Sequence, residues 1–142
     1  MENNFIGQAS ILINVPPSKV WNALTNPEII KQYLFGTEAL SAWTEGSTIT
    51  YKGVWQDKEY EDKGKILKIE PEKYLKTTYW SSMSGKADVP ENYNNVEYKL
   101  SPEGEGTQLT ITQDNNPTQE SADHSQKNWE TVLKTMKELL EK

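Results

Sequence analysis

Few residue types in this chain could do acid–base, nucleophilic or metal chemistry. The sequence contains one histidine, His124, and no cysteine. Without a thiol there is neither a disulfide, nor a cysteine-ligated metal site, nor a cysteine nucleophile. General acid–base catalysis would therefore need His124, or a pair of carboxylates with shifted pKa values in a dry cleft.

Two groups of residues are candidates for such catalysis. His124 falls in the first turns of a predicted terminal helix, where the dipole disfavours a charged imidazole, and we favour a solvated or capping role. The acidic cluster Glu59, Glu61 and Asp62 alternates with Tyr60 on a predicted strand, and a solvated strand face explains it best. The sequence has no glycine-rich phosphate loop, no paired-histidine spacing and no serine elbow. We therefore assign no catalytic residue, no metal and no cofactor.

Aromatic side chains are the more informative chemistry. The chain has five Trp, seven Tyr and two Phe. Their rings form large rigid apolar walls, and Tyr or Trp adds one polar tip that can orient a ligand. For any single ring, a place in the core is favoured over ligand contact. As a set, the rings are suited to the wall of a ligand site.

The element that must position part of this wall is a long terminal helix, predicted from Asn116 to Lys142. Between this helix and the first strand, the pattern is that of an antiparallel sheet. A sheet with one long helix packed across it encloses space, so the sequence predicts an internal space between the helix and the sheet. The apolar residues that recur on one helical face are Trp129, Val132, Leu133, Met136, Leu139 and Leu140.

The remaining elements follow from prolines and from residues of period two. A first strand is predicted from about Phe5 to Val15, and prolines end it. Two short helices follow, the second capped by Asn26 and opened by Pro27. From Thr37 to Gln113, turn signals separate alternating segments, which predicts six or seven strands.

Two features inside the sheet region suggest how this internal space is shaped. Gly64 lies within a strand predicted from about Gln56 to Ile69, where a glycine usually marks a bulge or a bend that would curl the sheet. The segment between Trp80 and Asn92 has no periodicity, which fits either a mobile loop or a lid. If it closes over an apolar opening, we expect Met83 to point inward.

Length and charge bound the class of protein. The 142 residues predict a single domain, 1–142. The net charge is −6 and every cation is lysine, which disfavours nucleic acid because no guanidinium is present and the surface repels a polyanion. No segment resembles a signal peptide or reaches bilayer length. We expect a cytoplasmic monomer that does not insert into membranes.

Four segments carry a resemblance to a known family. They are residues 15–28 (VPPSKVWNALTNPE), 64–71 (GKILKIEP), 106–112 (GTQLTIT) and 129–133 (WETVL). In this order the chain resembles the START-like superfamily and, more narrowly, stand-alone domains similar to the carboxy-terminal domain of the activator of the Hsp90 ATPase. The resemblance spans almost the whole chain. It implies an α+β helix-grip fold, as in START and Bet v 1 proteins, with a curved antiparallel sheet, two short helices and a long carboxy-terminal helix.

The resemblance also implies a cavity between the terminal helix and the concave face of the sheet, used across the superfamily for lipids, polyketides and other apolar molecules. Binding of a small hydrophobic or aromatic molecule is therefore the favoured function. A weak interaction with an Hsp90-type chaperone is the alternative; it is less favoured because this sequence has no counterpart of the separate amino-terminal domain with which the eukaryotic activator grips its chaperone. An enzyme acting on a hydrophobic ligand is the third hypothesis.

We predict that eight residues form the wall and the opening of the cavity. At positions 79 and 80 two interpretations stay open, because alternation from Leu75 turns Tyr79 inward whereas Trp80 is the more apolar neighbour; we prefer Tyr79. Trp21 is expected to anchor the first short helix to the sheet. We also predict that Tyr hydroxyls or Lys ammonium groups at the rim select a polar substituent. The eight predicted ligand-binding residues are Tyr33, Phe35, Tyr51, Trp55, Tyr79, Met83, Trp129 and Met136.

Overall fold

The computed structural model describes residues 5–34, 36–55, 57–81, 87–116 and 118–141, with Trp55 described by its backbone alone. These residues form a curved seven-stranded antiparallel sheet and three helices, which confirms the predicted α+β helix-grip fold. In chain order the elements are β1 (Phe5–Ile13), α1 (Pro17–Thr25), α2 (Pro27–Tyr33), β2 (Glu38–Ser41), β3 (Thr48–Trp55), β4 (Lys58–Glu70), β5 (Tyr74–Tyr79), a 3-10 turn (Pro90–Asn92), β6 (Asn94–Glu103), β7 (Gly106–Asn116) and α3 (Gln119–Leu140).

The sheet is a meander of β2 to β7 with the first strand, β1, added beside β7. Its order is β1-β7-β6-β5-β4-β3-β2, so every neighbouring pair except β1–β7 is consecutive in the chain. Residues of period two face the helices: in β7, for example, Leu109 and Ile111 are fully buried. Antiparallel strands with one covered face show this alternation.

The two short helices begin at prolines, as predicted. Pro17 and Pro27 occupy the first helical turns, and the Asn26 side chain accepts a hydrogen bond from the Glu28 amide at 3.0 Å. The predicted Asn26 cap is therefore confirmed. The Tyr33 hydroxyl donates to the Ala23 carbonyl at 2.8 Å, which ties the end of α2 back to α1.

The terminal helix begins later than its apolar pattern suggested. The predicted start at Asn116 is wrong, because Asn116 ends β7 and its side-chain amide donates to the Phe5 carbonyl at 2.9 Å. The cap is Thr118, whose hydroxyl accepts from the Ser121 amide at 3.0 Å. Polar residues around a strand-to-helix turn carry no period, so the boundary was not visible from periodicity.

Gly64 serves a close approach rather than a bulge. A Cβ there would lie 1.8 Å from the Thr78 carbonyl oxygen, so only glycine lets β4 and β5 approach at this point. The register shift of β4 falls instead between Ile66 and Lys68. Since β4 pairs with β3 over 58–65 and mainly with β5 beyond it, the strand joins the two parts of the curved sheet.

Helix α3 lies directly on β1. A Cβ at Gly7 would come within 2.7 Å of the Ala122 carbonyl oxygen, so the glycine lets helix and strand touch. At the other end of the helix, the Lys137 ammonium donates to the Leu12 carbonyl at 2.7 Å, and the Glu141 carboxylate accepts from the Asn14 amide at 2.7 Å. The helix is therefore fixed to β1 at both ends.

Candidate functional site

A cavity of about 460 Å³ lies between α3, the short helices and the concave face of the sheet. Every helix and every strand from β3 to β7 contributes to its wall. The described lining residues are Leu24, Ile30, Tyr33, Leu34, Thr37, Trp43, Tyr51, Val54, Tyr60, Asp62, Leu75, Thr77, Tyr79, Val96, Tyr98, Ile111, Gln113, Ser125, Asn128, Trp129, Val132 and Met136.

Helix α3 contributes Trp129, Val132 and Met136 to the cavity wall, together with the polar Ser125 and Asn128. Met136 is buried, and Trp129, two turns earlier on the same face of α3, is half-buried. The Trp129 indole N–H donates to the Gln113 side-chain carbonyl at 2.9 Å, and its ring meets Tyr98 edge-on, with centroids 6.0 Å apart. A rigid ring with a satisfied N–H makes a stable wall between α3 and the sheet.

Opposite α3 lies a group of residues, the tyrosine–aspartate cluster, which consists of Tyr51, Asp62, Tyr79 and Tyr98 on the sheet and Tyr33 on α2. Tyr51 and Asp62 are direct partners across β3 and β4. The Tyr79 hydroxyl donates to the Asp62 carboxylate at 2.8 Å, and the Tyr51 and Tyr79 rings meet edge-on at 6.2 Å. Asp62 is therefore flanked by two aromatic rings.

Burial keeps these phenols neutral. It raises the pKa of Tyr51 to about 12, with a smaller contribution from the Asp62 charge. Burial likewise raises the pKa of Tyr79, together with the charge and hydrogen bond of Asp62. For Tyr33 and Tyr98 burial again dominates and neighbouring tyrosines add to it, so both pKa values lie well above the usual range. At neutral pH the four tyrosines are therefore protonated.

The assignment of Asp62 to a solvated face is wrong. Glu59 and Glu61 are exposed as expected, but the Asp62 residue is only 9% exposed and lines the cavity. The physical reason is the period of two: successive side chains on a strand point to opposite faces, so Glu61 and Asp62 cannot share one. Asp62 follows Tyr60 on the inner face.

Exposed lining residues mark the opening of the cavity. Val54 on β3 is 66% exposed, and Asn128 on α3 is also exposed, yet both contribute to the wall. Nearby on β4, the Tyr60 ring covers Gly53, where a Cβ would lie 2.3 Å from the hydroxyl, and the hydroxyl is hydrogen-bonded to Thr37. Glycine at position 53 thus makes room for the ring that closes this part of the wall.

Five of the eight predicted wall residues line the cavity: Tyr33, Tyr51, Tyr79, Trp129 and Met136. Phe35 and Met83 lie outside the described residues, as does the side chain of Trp55. That any of the eight contacts a ligand stays a prediction.

The structure also shows where Trp80 and Trp21 lie. Trp80 stacks on Tyr93 at 6.4 Å, with the Lys63 ammonium 5.7 Å from its ring, so Tyr79 is the neighbour that lines the cavity. Trp21 is half-buried and packs against the cluster of buried sheet residues Ile49, Ile66 and Leu75, which fits an anchor between helix and sheet.

Most of the other lining residues were not singled out from the sequence, among them Tyr98, Gln113, Tyr60 and Trp43. Tyr98 shares a strand face with buried Val96, and Gln113 continues the face of Ile111, so the period of two could have found both. Tyr60 could have been found as the residue that alternates with the acidic cluster. Trp43 gave no such signal, because it lies between β2 and β3 with φ of 55°, where periodicity does not apply.

Other chemistry is sparse within the described ranges. His124 is exposed on α3. No group of three or more His, Cys, Asp or Glu side chains there could hold a metal ion, and no helix among these residues is long and apolar enough to cross a membrane. The described cavity wall contains no lysine, so the polar groups it offers are the hydroxyls of Tyr, Thr and Ser, Asp62 and amides rather than the ammonium groups considered above.

Comparison with known families gives one match over most of the chain. Residues 14–141 match the model of the family described as "Activator of Hsp90 ATPase homolog 1-like protein". No curated protein matches the chain at a significant level.

Solved structures resemble the whole chain. The solution structure of ChR145 from Cytophaga hutchinsonii is 47% identical, the alignment covers 99% of this chain and 97% of that one, and the TM-score is 0.87. CalU16 from Micromonospora echinospora is 21% identical over 96% and 84% of the two chains, with a TM-score of 0.74. The Aha1 dimer from Colwellia psychrerythraea is 22% identical over 96% of each chain, with a TM-score of 0.73. The latter two similarities show the fold alone.

Proposed function

The chain belongs to the activator of Hsp90 ATPase homolog 1-like family, and from its internal cavity we propose that it binds a small hydrophobic or aromatic molecule, of the lipid or polyketide kind, between α3 and the sheet. The observation that carries this proposal is a cavity of about 460 Å³ with a mostly apolar wall and a few polar groups. Pockets for small molecules generally measure about 300–1,000 Å³ and have this composition.

Burial of ligand surface supplies the driving force. Removing apolar area from water is worth about 25 cal/mol per Å². The rings of Trp43, Tyr98 and Trp129 offer rigid surfaces that lose little conformational freedom when they contact a guest. The neutral hydroxyls of the tyrosine–aspartate cluster then orient a polar substituent, because a hydrogen-bond partner left unpaired in an apolar site is costly.

Native mass spectrometry of freshly purified protein tests the proposal first, since a retained guest appears as added mass. A thermal-shift screen against fatty acids and aromatic compounds then tests binding directly, because a ligand of the native state raises the melting temperature with concentration. We expect several apolar compounds to stabilise the protein in this way.

A blocking variant locates the binding. Asn128→Trp places a large ring at the opening, whereas Glu130→Trp adds the same ring to an exposed α3 position outside the cavity wall. Binding should be lost in the first variant and retained in the second. Equal binding by both would place the ligand elsewhere and refute the proposal.

The chaperone hypothesis has one observation in its favour, the family match itself. It predicts that the chain binds an Hsp90-type chaperone and accelerates its ATP hydrolysis. A steady-state ATPase assay with and without a molar excess of the chain measures this, and an unchanged rate would reject it. Light scattering in the same buffers would test the proposed monomer against a dimer such as the Colwellia protein.

A further inference from the structure

The tyrosine hydroxyls of this chain fall into two groups. Five of the seven are hydrogen-bonded to another described residue. The five pairs are Tyr33 with Ala23, Tyr60 with Thr37, Tyr74 with Glu97, Tyr79 with Asp62 and Tyr93 with Asp88. Within the part of the chain that the structure describes, the Tyr51 and Tyr98 hydroxyls have no such bond, and both residues line the cavity. The hydroxyls without a protein partner thus both belong to the cavity wall.

These two hydroxyls border open space rather than the packed core. Among the described residues, no enclosed side-chain nitrogen or oxygen atom lacks a hydrogen bond. An unbonded hydroxyl in this part of the molecule is therefore not enclosed. Tyr51 and Tyr98 are half-buried and form part of the cavity wall, so their hydroxyls are accessible to a guest inside it.

Neighbouring rings hold both tyrosines in place. Tyr51 on β3 meets Tyr79 edge-on at 6.2 Å, and Tyr98 on β6 meets Trp129 edge-on at 6.0 Å. Burial raises the pKa of both phenols, and the charge of an ionised Tyr51 would raise the pKa of Tyr98 further, so the two lie within electrostatic reach of each other. Each is a protonated hydrogen-bond donor at neutral pH.

An unbonded donor discriminates between guests that are otherwise alike. A tyrosine hydroxyl carries one proton that it can donate. A guest that covers this proton without accepting it leaves a desolvated donor unpaired, which is costly. A guest that places an acceptor against the hydroxyl avoids the cost and gains a hydrogen bond.

The rest of the wall favours a neutral acceptor over an anion. The described lining contains no lysine, arginine or histidine. An anionic guest would lose its water shell there without a cationic partner, and burial of an unpaired charge is costly. A carbonyl oxygen is neutral, has two lone pairs for two donors, and brings no proton that needs an acceptor of its own.

We propose that the ligand is an apolar or aromatic molecule bearing a carbonyl group, and that Tyr51 and Tyr98 recognise this group by donating hydrogen bonds to it. This inference rests on the proposed function, because it requires that the cavity be the binding site. It narrows the ligand class from any hydrophobic molecule to a carbonyl compound and makes these two tyrosines the residues that determine specificity.

Two probes of similar shape provide the test: 2-acetylnaphthalene, which has a carbonyl acceptor, and 2-isopropylnaphthalene, which has none. Equilibrium dialysis at neutral pH measures the affinity of each at low concentration. Tyr51→Phe and Tyr98→Phe remove a hydroxyl and keep the ring. Each variant should weaken ketone binding by about two- to tenfold, the usual worth of one hydrogen bond, and should not weaken hydrocarbon binding. The ketone-to-hydrocarbon affinity ratio therefore falls in both.

Tyr33→Phe is the matched control. It removes a hydroxyl from the same wall, but one that already donates to the Ala23 carbonyl at 2.8 Å. It should lower the melting temperature and leave the affinity ratio unchanged. Tyr51→Phe and Tyr98→Phe lose no hydrogen bond to the protein, so without ligand at neutral pH their melting temperatures should stay close to that of the parent. Circular dichroism verifies that each variant is folded, and if one of the two does not fold, the other still tests the ratio.

The outcomes separate this inference from the proposed function. A ratio that is unchanged in both Tyr51→Phe and Tyr98→Phe, or that falls equally in Tyr33→Phe, overturns carbonyl recognition and leaves cavity binding intact. A fall in one variant only overturns recognition by the pair. Tighter binding of 2-naphthoate than of the ketone overturns the neutral acceptor. No binding of any probe, together with no stabilisation in the wider apolar screen, overturns the proposed function and the inference with it.

Discussion

Helix α3 makes two different contacts with one sheet. Over β1 it packs directly, to the point that a Cβ at Gly7 would come within 2.7 Å of the Ala122 carbonyl oxygen. Over β3 to β6 it stands away from the strands and leaves about 460 Å³. The same element is therefore part of a close-packed core on one side and the roof of a cavity on the other.

Side-chain size accounts for the difference. Small residues, Gly7, Ala9 and Ala122, let the helix approach β1. On the open side, rings stand between the elements and hydrogen bonds fix them, as with Trp129 to Gln113 and Tyr33 to Ala23. Walls held in this way resist collapse, and this explains how a protein that is normally close-packed keeps an internal space.

The largest expected effect is that raising the pH above 10 lowers the free energy of unfolding, through the tyrosines that line the cavity. The pKa of Tyr51 is raised from 10.0 to about 12, and those of Tyr33, Tyr79 and Tyr98 are raised as well. Because the folded state holds these protons more tightly than the unfolded state, stability is complete below pH 10 and falls as the pH rises from 10 toward 12, by about 1.4 kcal/mol per pH unit for each group. Urea unfolding at a series of pH values measures the slope.

One substitution checks that slope. Tyr51→Phe removes one titrating group, so the loss of stability between pH 10 and 12 should become less steep. An unchanged slope would show that Tyr51 does not titrate with unfolding.

Truncation of two helix residues sharpens the comparison between core and cavity. Leu133 and Met136 are each 1% exposed on α3, but only Met136 lines the cavity. Either change to alanine should lower the free energy of unfolding by about 2–5 kcal/mol. Ligand affinity, measured by calorimetry, should change in Met136→Ala and remain unchanged in Leu133→Ala. The reverse pattern would remove Met136 from the site.

Filling the close contact should be costly in stability without changing ligand affinity. Gly7→Ala forces a methyl group against the backbone of α3, which cannot yield as a side chain can, and overpacking of this kind costs about 1–3 kcal/mol. Gln8→Ala, at the exposed neighbouring position, is the control. A Gly7→Ala protein as stable as its control would mean that α3 is not fixed on β1.

The smallest expected effect concerns the hydrogen bond that spans the cavity. Gln113→Met keeps much of the side-chain volume and leaves the Trp129 indole N–H without its acceptor, which should cost about 1–2 kcal/mol of stability. The indole proton resonance should move at the same time. If neither the stability nor that resonance changes, the bond does not support the wall.

The sequence could predict the elements and part of the wall, because both follow from local periods. The α3 stripe and the proline-initiated helices needed only the spacing of a few side chains, and strict alternation would have turned Asp62 inward with Tyr60. The volume of the cavity could not be predicted, since it depends on how far the rings hold α3 from β3 to β6. The place of Trp43 in the wall could not be predicted either, because it lies in a turn with left-handed backbone geometry, where strand periodicity does not apply.

Two-dimensional NMR of the protein, with the Met136 methyl group and the Trp129 indole N–H assigned, tests the central claim most directly. During titration with 1-naphthylmethanol, a neutral aromatic guest, both signals should shift and saturate together while the Leu133 methyl signals stay in place. Shifts confined to surface residues, or no shifts at concentrations that stabilise the fold, would contradict an internal binding site.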